Sequence, residues 1–291
     1  MPHRITAVII SLLLGLATPS TVLAQALVPF TLELDQTQLE QEGLAVAQDA
    51  VQLIRFQQLD EALSRAKLAA QLAPNAYEIW ALLGGLYLSL NQTDKGVTAL
   101  ERSLELNRKN PGVFFSLGSA YFQQKSYLKA AQMIEAGLAL KPNVADELFN
   151  LGNAYFKLGQ YPRAIAQYRK SIDLDKKFWP AINNIGLIQY EQGDKAGAMK
   201  NWQAASAIDP KASEPKLALA VALYTMGSRE QGLALAESAL KLDSRYGEIS
   251  FLRENLWGDR LIADTQSVLA TPRIRATLAK LQSTPAPAAP Q

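Results

Sequence analysis

Nucleophilic and acid–base chemistry needs side chains that this sequence almost entirely lacks. Its only histidine is His3, and it contains no cysteine in 291 residues. A Ser/His/Asp or Cys/His site requires a base titrating near neutrality or a thiolate. Zinc and copper centres are likewise built on imidazole and thiolate. A Ser–Lys or carboxylate pair remains formally available, but Asp173 and Asp175 only flank a predicted helix end, and the spacing favours no pair. Gly84-Gly85 lies inside a helical pattern with no Gly-Lys-Ser after it, so it does not read as a phosphate loop. The expectation is a chain that is not an enzyme and uses no metal or cofactor.

What recurs instead is chemistry suited to gripping another chain. Phe115 and Phe149 stand 34 residues apart, as do Phe122, Phe156, Tyr190 and Tyr224 in succession. Asn150 and Asn184 repeat at the same interval, and Asn153 and Asn183 lie beside them. Aromatic rings are favoured anchors at interfaces. An Asn amide both donates and accepts, so it can hold a peptide unit without reading its side chain.

These residues must be positioned by a folded body. A hydrophobic share of 48% with 19% charged residues is enough for a substantial core and too apolar for disorder. The net charge of +2 and the lack of basic runs argue against a nucleic-acid partner. The start of the chain has the form of an export signal. Arg4 precedes the apolar stretch Ile5 to Ala17, Pro19 and Ser20 break it, and Val22-Leu23-Ala24 offers small residues at −3 and −1. Residues 1–24 are therefore read as a signal peptide cleaved before Gln25. The alternative is an uncleaved anchor made by residues 5–17, although that stretch is short against the roughly 20 residues a span needs. No cysteine follows it, so a lipid-modified anchor does not apply.

Comparing the sequence with itself reveals a period of 34. Units abut without insertion at 43–76, 77–110, 111–144, 145–178, 179–212 and 213–246. Position eight reads Ala50, Gly84, Gly118, Gly152, Gly186, Ala220, and position twenty reads Ala62, Gly96, Ala130, Ala164, Ala198, Gly232. Position twenty-four reads Ala66, Leu100, Ile134, Tyr168, Trp202, Ala236. Small residues at eight and twenty let two helices approach closely, which offsets the roughly 1 kcal/mol that Gly loses to Ala in a helix. Larger residues at seven, eleven and twenty-four fill the space between helices. Gly159 and Gly193 suit left-handed caps, and Pro74, Pro142 and Pro210 stop second helices.

This column pattern resembles the tetratricopeptide repeat (TPR) family over 204 of the residues, most closely in Leu148 to Asp175, LFNLGNAYFKLGQYPRAIAQYRKSIDLD. Repeats one and six depart most, with Asp49-Ala50 and Ala220 in place of the usual Leu-Gly and Gly. The resemblance implies an all-α, right-handed α-solenoid of six helix-turn-helix units with a capping helical region behind them. The boundaries are then a leader at 25–42 with helix one starting near Asp35, repeats at 43–246, a helical cap at 247–282 and a disordered Pro/Ala tail at 283–291. Within the cap, Glu248 to Trp257 and Asp259 to Leu269 read as a seventh, degenerate hairpin, and Thr271-Pro272 opens a last helix.

In this family the first helix of each hairpin lines a concave groove through positions two, five, nine, twelve and thirteen. The resemblance thus implies a partner-binding groove formed by Phe115, Phe122, Phe149, Asn150, Asn153, Phe156, Asn183, Asn184, Tyr190 and Tyr224. The carboxylate clamp of chaperone-tail binders is not reproduced. Asn153 and Asn184 match its two asparagines, but Phe149, Glu214 and Ala218 replace its basic residues. The expected function is a scaffold or chaperone-like adaptor that binds a protein or peptide segment in the groove of an exported protein, in the periplasm or the thylakoid lumen. The segment Phe251 to Ile274, FLRENLWGDRLIADTQSVLATPRI, resembles the closing stretch of exported cyanobacterial TPR proteins. By that analogy the alternative is a membrane-anchored assembly factor for a membrane complex such as a photosystem.

Overall fold

From the second repeat to the sixth, a first helix of 13 residues, a three-residue turn, a second helix of 14 residues and a four-residue link make up one unit. The hairpins are α1 (Gln36–Arg55) with α2 (Leu59–Leu72), α3 (Tyr77–Ser89) with α4 (Thr93–Leu106), and α5 (Pro111–Gln123) with α6 (Tyr127–Leu140). They continue as α7 (Ala145–Lys157) with α8 (Tyr161–Leu174), α9 (Trp179–Glu191) with α10 (Lys195–Ile208), and α11 (Ser213–Thr225) with α12 (Arg229–Leu242). This computed structural model describes residues 35–283. The signal assigned to 1–24, leader residues 25–34 and tail residues 284–291 lie outside the described residues. From Thr37 onward the described chain forms one compact unit.

Each turn within a hairpin is made by a left-handed residue at position fifteen. Gln57, Asn91 and Lys125 have φ near +60°, and Gly159, Gly193 and Gly227 lie between +70° and +99°. The amide of that residue bonds the carbonyl three back, and the next amide bonds the carbonyl five back. In repeat four these are Gly159 N to Phe156 O at 2.9 Å and Gln160 N to Tyr155 O at 2.9 Å. This closes the last turn of the first helix and satisfies its free carbonyls. Between repeats, the Asn110 side chain accepts from Gly112 N at 3.0 Å with Pro111 in the first turn of α5.

Helix pairs meet through matched positions eight and twenty-four. A Cβ added at Gly84, Gly118, Gly152 or Gly186 would strike Leu100, Ile134, Tyr168 or Trp202 respectively. Where position eight is alanine, position twenty-four is alanine too: Ala50 with Ala66, and Ala220 with Ala236, all fully buried. A methyl added on one side is answered by a shorter side chain on the other, as close packing requires. Inter-repeat ties reinforce the stack. Tyr121 Oη donates to Glu101 at 2.7 Å, and Tyr155 Oη donates to Glu135.

The C-terminal segment does not stack as a seventh hairpin. After α12 come a 3₁₀ turn (Ser244–Gly247), α13 (Ile249–Glu254), α14 (Asp259–Leu269) and α15 (Pro272–Ser283). The expected helix from Glu248 to Trp257 is cut to six residues, and Leu256 takes a left-handed φ of 68° that reverses the chain. α15 lies against α12 and caps the end of the array, whereas α14 turns back onto α9 and α11. The physical reason is apolar area. α14 presents Leu261, Ile262 and Val268, and the first helices of repeats five and six present Leu187, Leu217 and Val221, all buried in the product. Ser283, assigned from sequence to the tail, is the last residue of α15.

Candidate partner-binding groove

The first helices α3, α5, α7, α9 and α11 lie side by side, so positions five, nine, twelve and thirteen form parallel rows across them. In repeats three and four these rows stay open to solvent. Ser119 is exposed, Phe115, Phe122, Phe149, Asn150 and Asn153 are half-buried, and a cleft of about 170 Å³ is lined by Ser119, Phe122, Gln123, Asn150 and Asn153. A neighbouring cleft of about 520 Å³ runs past Phe122, Lys125, Tyr127 and Lys157 to Arg253 and Glu254.

The aromatic rows are built into the hairpins as well as facing the cleft. Phe122 packs edge-on against Tyr127, with centroids 5.2 Å apart, and Phe156 against Tyr161 at 5.5 Å. Position twelve thus rests on the first residue of the second helix. Phe149 packs on Tyr168 and on Phe178, and Phe115 fills the space above Gly137. Phe156 is buried.

The asparagines do less for a ligand than their spacing suggests. Asn153 Oδ1 accepts from Tyr168 Oη at 2.8 Å and from Asn184 Nδ2 at 3.0 Å, tying α7, α8 and α9 together. Asn183 Nδ2 donates to Asn184 Oδ1 at 3.1 Å. Asn184 is 5% exposed and spends its amide inside the array. Asn150 bonds Glu147 within its own helix at 3.1 Å, where burial holds the Glu147 carboxyl above its ordinary range.

In repeats five and six the rows are covered. Asn183, Leu187, Tyr190, Leu217 and Val221 have no exposed surface, because α14 and the α13–α14 connection lie over them. Asn183, Asn184 and Tyr190, expected as ligand contacts, are therefore corrected to interior residues of the described fold. Tyr224, at the edge of the cover, is half-buried beside Arg229.

The cover is held by polar contacts that the repeat pattern did not signal. Glu191, at position thirteen, accepts from Arg260 N at 3.1 Å and Leu261 N at 2.9 Å, the first free amides of α14. Gly258 leaves room for it, since a Cβ there would strike the Glu191 side chain. One repeat earlier, position thirteen is Lys157, which donates to the Arg253 carbonyl at the end of α13 at 3.2 Å. A carboxylate thus meets the positive end of one helix and an ammonium the negative end of the other. Burial and then the nearby Lys125 charge lower the Lys157 pKa. Tyr190 Oη donates to Asp264 at 2.5 Å, and Lys195 lies 3.4 Å from the same carboxylate. Burial and the Asp264 carboxylate push the Tyr190 hydroxyl pKa upward. Trp257 Nε1 donates to Glu214 at 2.9 Å, and burial raises that carboxyl to about 7.

One signal could have betrayed the cover. Position nine is Ser119 and Asn153 in the open repeats but Leu187 and Val221 in the covered ones. Among the described residues no cluster of three His, Cys, Asp or Glu could hold a metal, and no helix is long and apolar enough to cross a membrane.

An array of six stacked helical hairpins with a helical cap defines a right-handed α-solenoid of the kind that presents surfaces to other proteins. Models of the tetratricopeptide repeat match residues 53–115, 86–145 and 152–193, so these stretches are tetratricopeptide repeats. No curated protein matches the sequence. Among solved structures, MamA is 25% identical with a TM-score of 0.54, over 56% of this chain and 95% of that one. YrrB, described as a TPR protein with an unusual peptide-binding site, is 18% identical with a TM-score of 0.51, over 65% and 96%. PilW, a type IV pilus biogenesis factor, is 18% identical with a TM-score of 0.62, over 79% and 99%. The latter two likenesses are likenesses of fold. At this level the chain is a solenoid of tetratricopeptide repeats.

Proposed function

We propose that this scaffold binds one segment of a partner protein along the first helices of repeats three and four, without catalysis. The observation that carries the reading is the contrast along one groove: its far half is filled by the chain's own α14, while its near half remains open and lined by Ser119, Phe122, Gln123, Asn150 and Asn153. A surface of half-buried aromatics edged by amides suits a mixed apolar and backbone-bonding segment. The non-catalytic part of the reading is supported by a sequence with no cysteine and no histidine beyond residue 3.

The test is a photo-crosslinking side chain placed at Ser119 or, on the opposite side of repeat four, at Lys170. Both positions are exposed. A discrete adduct from Ser119 and none from Lys170 is expected in native extracts. Adducts from Lys170 alone would remove the groove from the account. We extend the proposal to location: the chain acts outside the cytoplasm after cleavage behind Ala24, which the pattern Val22-Leu23-Ala24 supports. N-terminal sequencing of the native protein is expected to begin at Gln25, and a retained Ile5–Ala17 stretch would sink it.

A further inference from the structure

The contacts that hold α14 in the groove include one out of character for a permanent core. Glu214, at position two of repeat six, is a carboxyl 9% exposed at the junction between the groove and its cover. Trp257 bonds it from the α13–α14 connection, and the Asn183 side chain lies within bonding reach from α9. Tyr168 faces it from α8 and Tyr246 from the 3₁₀ turn. Among the described residues no Lys or Arg bonds it. Beside it, Asn183 Oδ1 is buried with no hydrogen-bond donor. As a carboxylate Glu214 would accept from Trp257 and Asn183 but meet no cation, and the cost of burying the charge in an apolar seam outweighs those two donors. Across this seam α14 meets α9 and α11.

We propose that the α13–α14 segment is a latch that occupies the far half of the groove while Glu214 is protonated and lets go when Glu214 ionises. Release uncovers Leu187, Tyr190, Leu217 and Val221, which extend the open rows of repeats three and four. The binding surface then lengthens from two repeats to four, and the occupant it fits is an amphipathic helix like α14 itself. The direction with pH follows from linkage. A free Glu carboxyl titrates near 4.5 and the buried one near 7. Below both values the latch is undisturbed. Through the interval the released form ionises while the latched form stays protonated, so the drive to release grows with pH. It levels off above about 7, where both are ionised. The latch therefore holds in acid and loosens toward neutrality. It does not depend on which partner the open half takes.

Hydrogen exchange of the full chain, read peptide by peptide from about pH 5 to about pH 8 and corrected for intrinsic exchange, tests this. Protection over residues 249–269 is expected to fall on the order of a hundredfold with rising pH, while α5 to α8 stay protected. In Glu214→Gln, whose amide oxygen accepts from Trp257 without ever carrying a charge, protection is expected to stay high and flat. Three results would each overturn the latch: flat protection in the wild type, an equal fall in the Gln variant, or loss in step with α5 to α8.

Discussion

Repeats three and five share a backbone, a register and an aromatic at position twelve, yet one faces solvent and the other faces α14. Phe122 is half-buried and lines a cleft, while Tyr190 is fully buried and bonds Asp264. Position nine separates them: Ser119 in the open repeat, Leu187 in the covered one. In a solenoid the columns that fix the stack are shared by all repeats, so the surface rows are free to differ. The difference between neighbouring repeats records what lies on top of each. A groove can be filled by its own chain over half its length and stay open over the rest.

The largest expected effect comes from breaking that contrast at position nine. Leu187→Ala removes a side chain with no exposed surface and is expected to cost about 2–5 kcal/mol. Ser119→Ala, at the matched position, is expected to stay within about 0.5 kcal/mol. Urea denaturation followed by far-UV circular dichroism checks both. Equal shifts in the two variants would mean that the cover contributes nothing that the open rows lack.

The stack was readable from sequence because its causes are local and repeated. Gly84, Gly118, Gly152 and Gly186 at position eight, each answered by a bulky residue at twenty-four, leave little freedom for any other hairpin. The left-handed residues were half legible. Gly159 and Gly193 announce themselves, but Gln57 and Lys125 adopt the same conformation without a glycine, because the helix pairs on either side impose it. The groove was legible as a surface and not as an occupied one. The period locates Tyr190 and Asn183 on the groove-facing rows, but cannot say that a helix 70 residues later returns to cover them, since Glu191 reaching Leu261 N is a contact between distant segments. Likewise Asn184 follows the ladder spacing while its amide is bonded inside, to Asn153.

A middle-sized effect tests the polar hold on the cover. Glu191 supplies the cap that Gly258 cannot, so Glu191→Ala is expected to weaken α14 by about 1 kcal/mol. The loss should appear as faster amide exchange at residues 260–264 with α9 itself unchanged. Gln123, at the same position thirteen of repeat three, bonds no helix end, and Gln123→Ala is expected to leave exchange throughout the chain as it was. Unchanged exchange at 260–264 in the Glu191 variant would assign the hold to apolar contact alone.

The smallest effects lie in the turns beneath the two halves. Lys125 in the open repeat and Gly193 in the covered one both sit at position fifteen with positive φ, 59° and 89°. A side chain in that region costs about 1–2 kcal/mol in strain, and glycine returns part of this through the greater entropy of its unfolded chain. Lys125→Gly is therefore expected to stabilise by about 0.5 kcal/mol, the strain relieved slightly exceeding the entropy lost. Gly193→Ala runs the other way and meets a second obstacle, since the new Cβ would lie 3.0 Å from the Arg260 guanidinium on α14. Its cost is expected at about 1–2 kcal/mol, and thermal midpoints of the two variants should move in opposite directions. If Lys125→Gly also destabilises, the Lys125 stem in its ring-lined cleft contributes more to the open half than its backbone conformation and its repulsion with Lys157 take away.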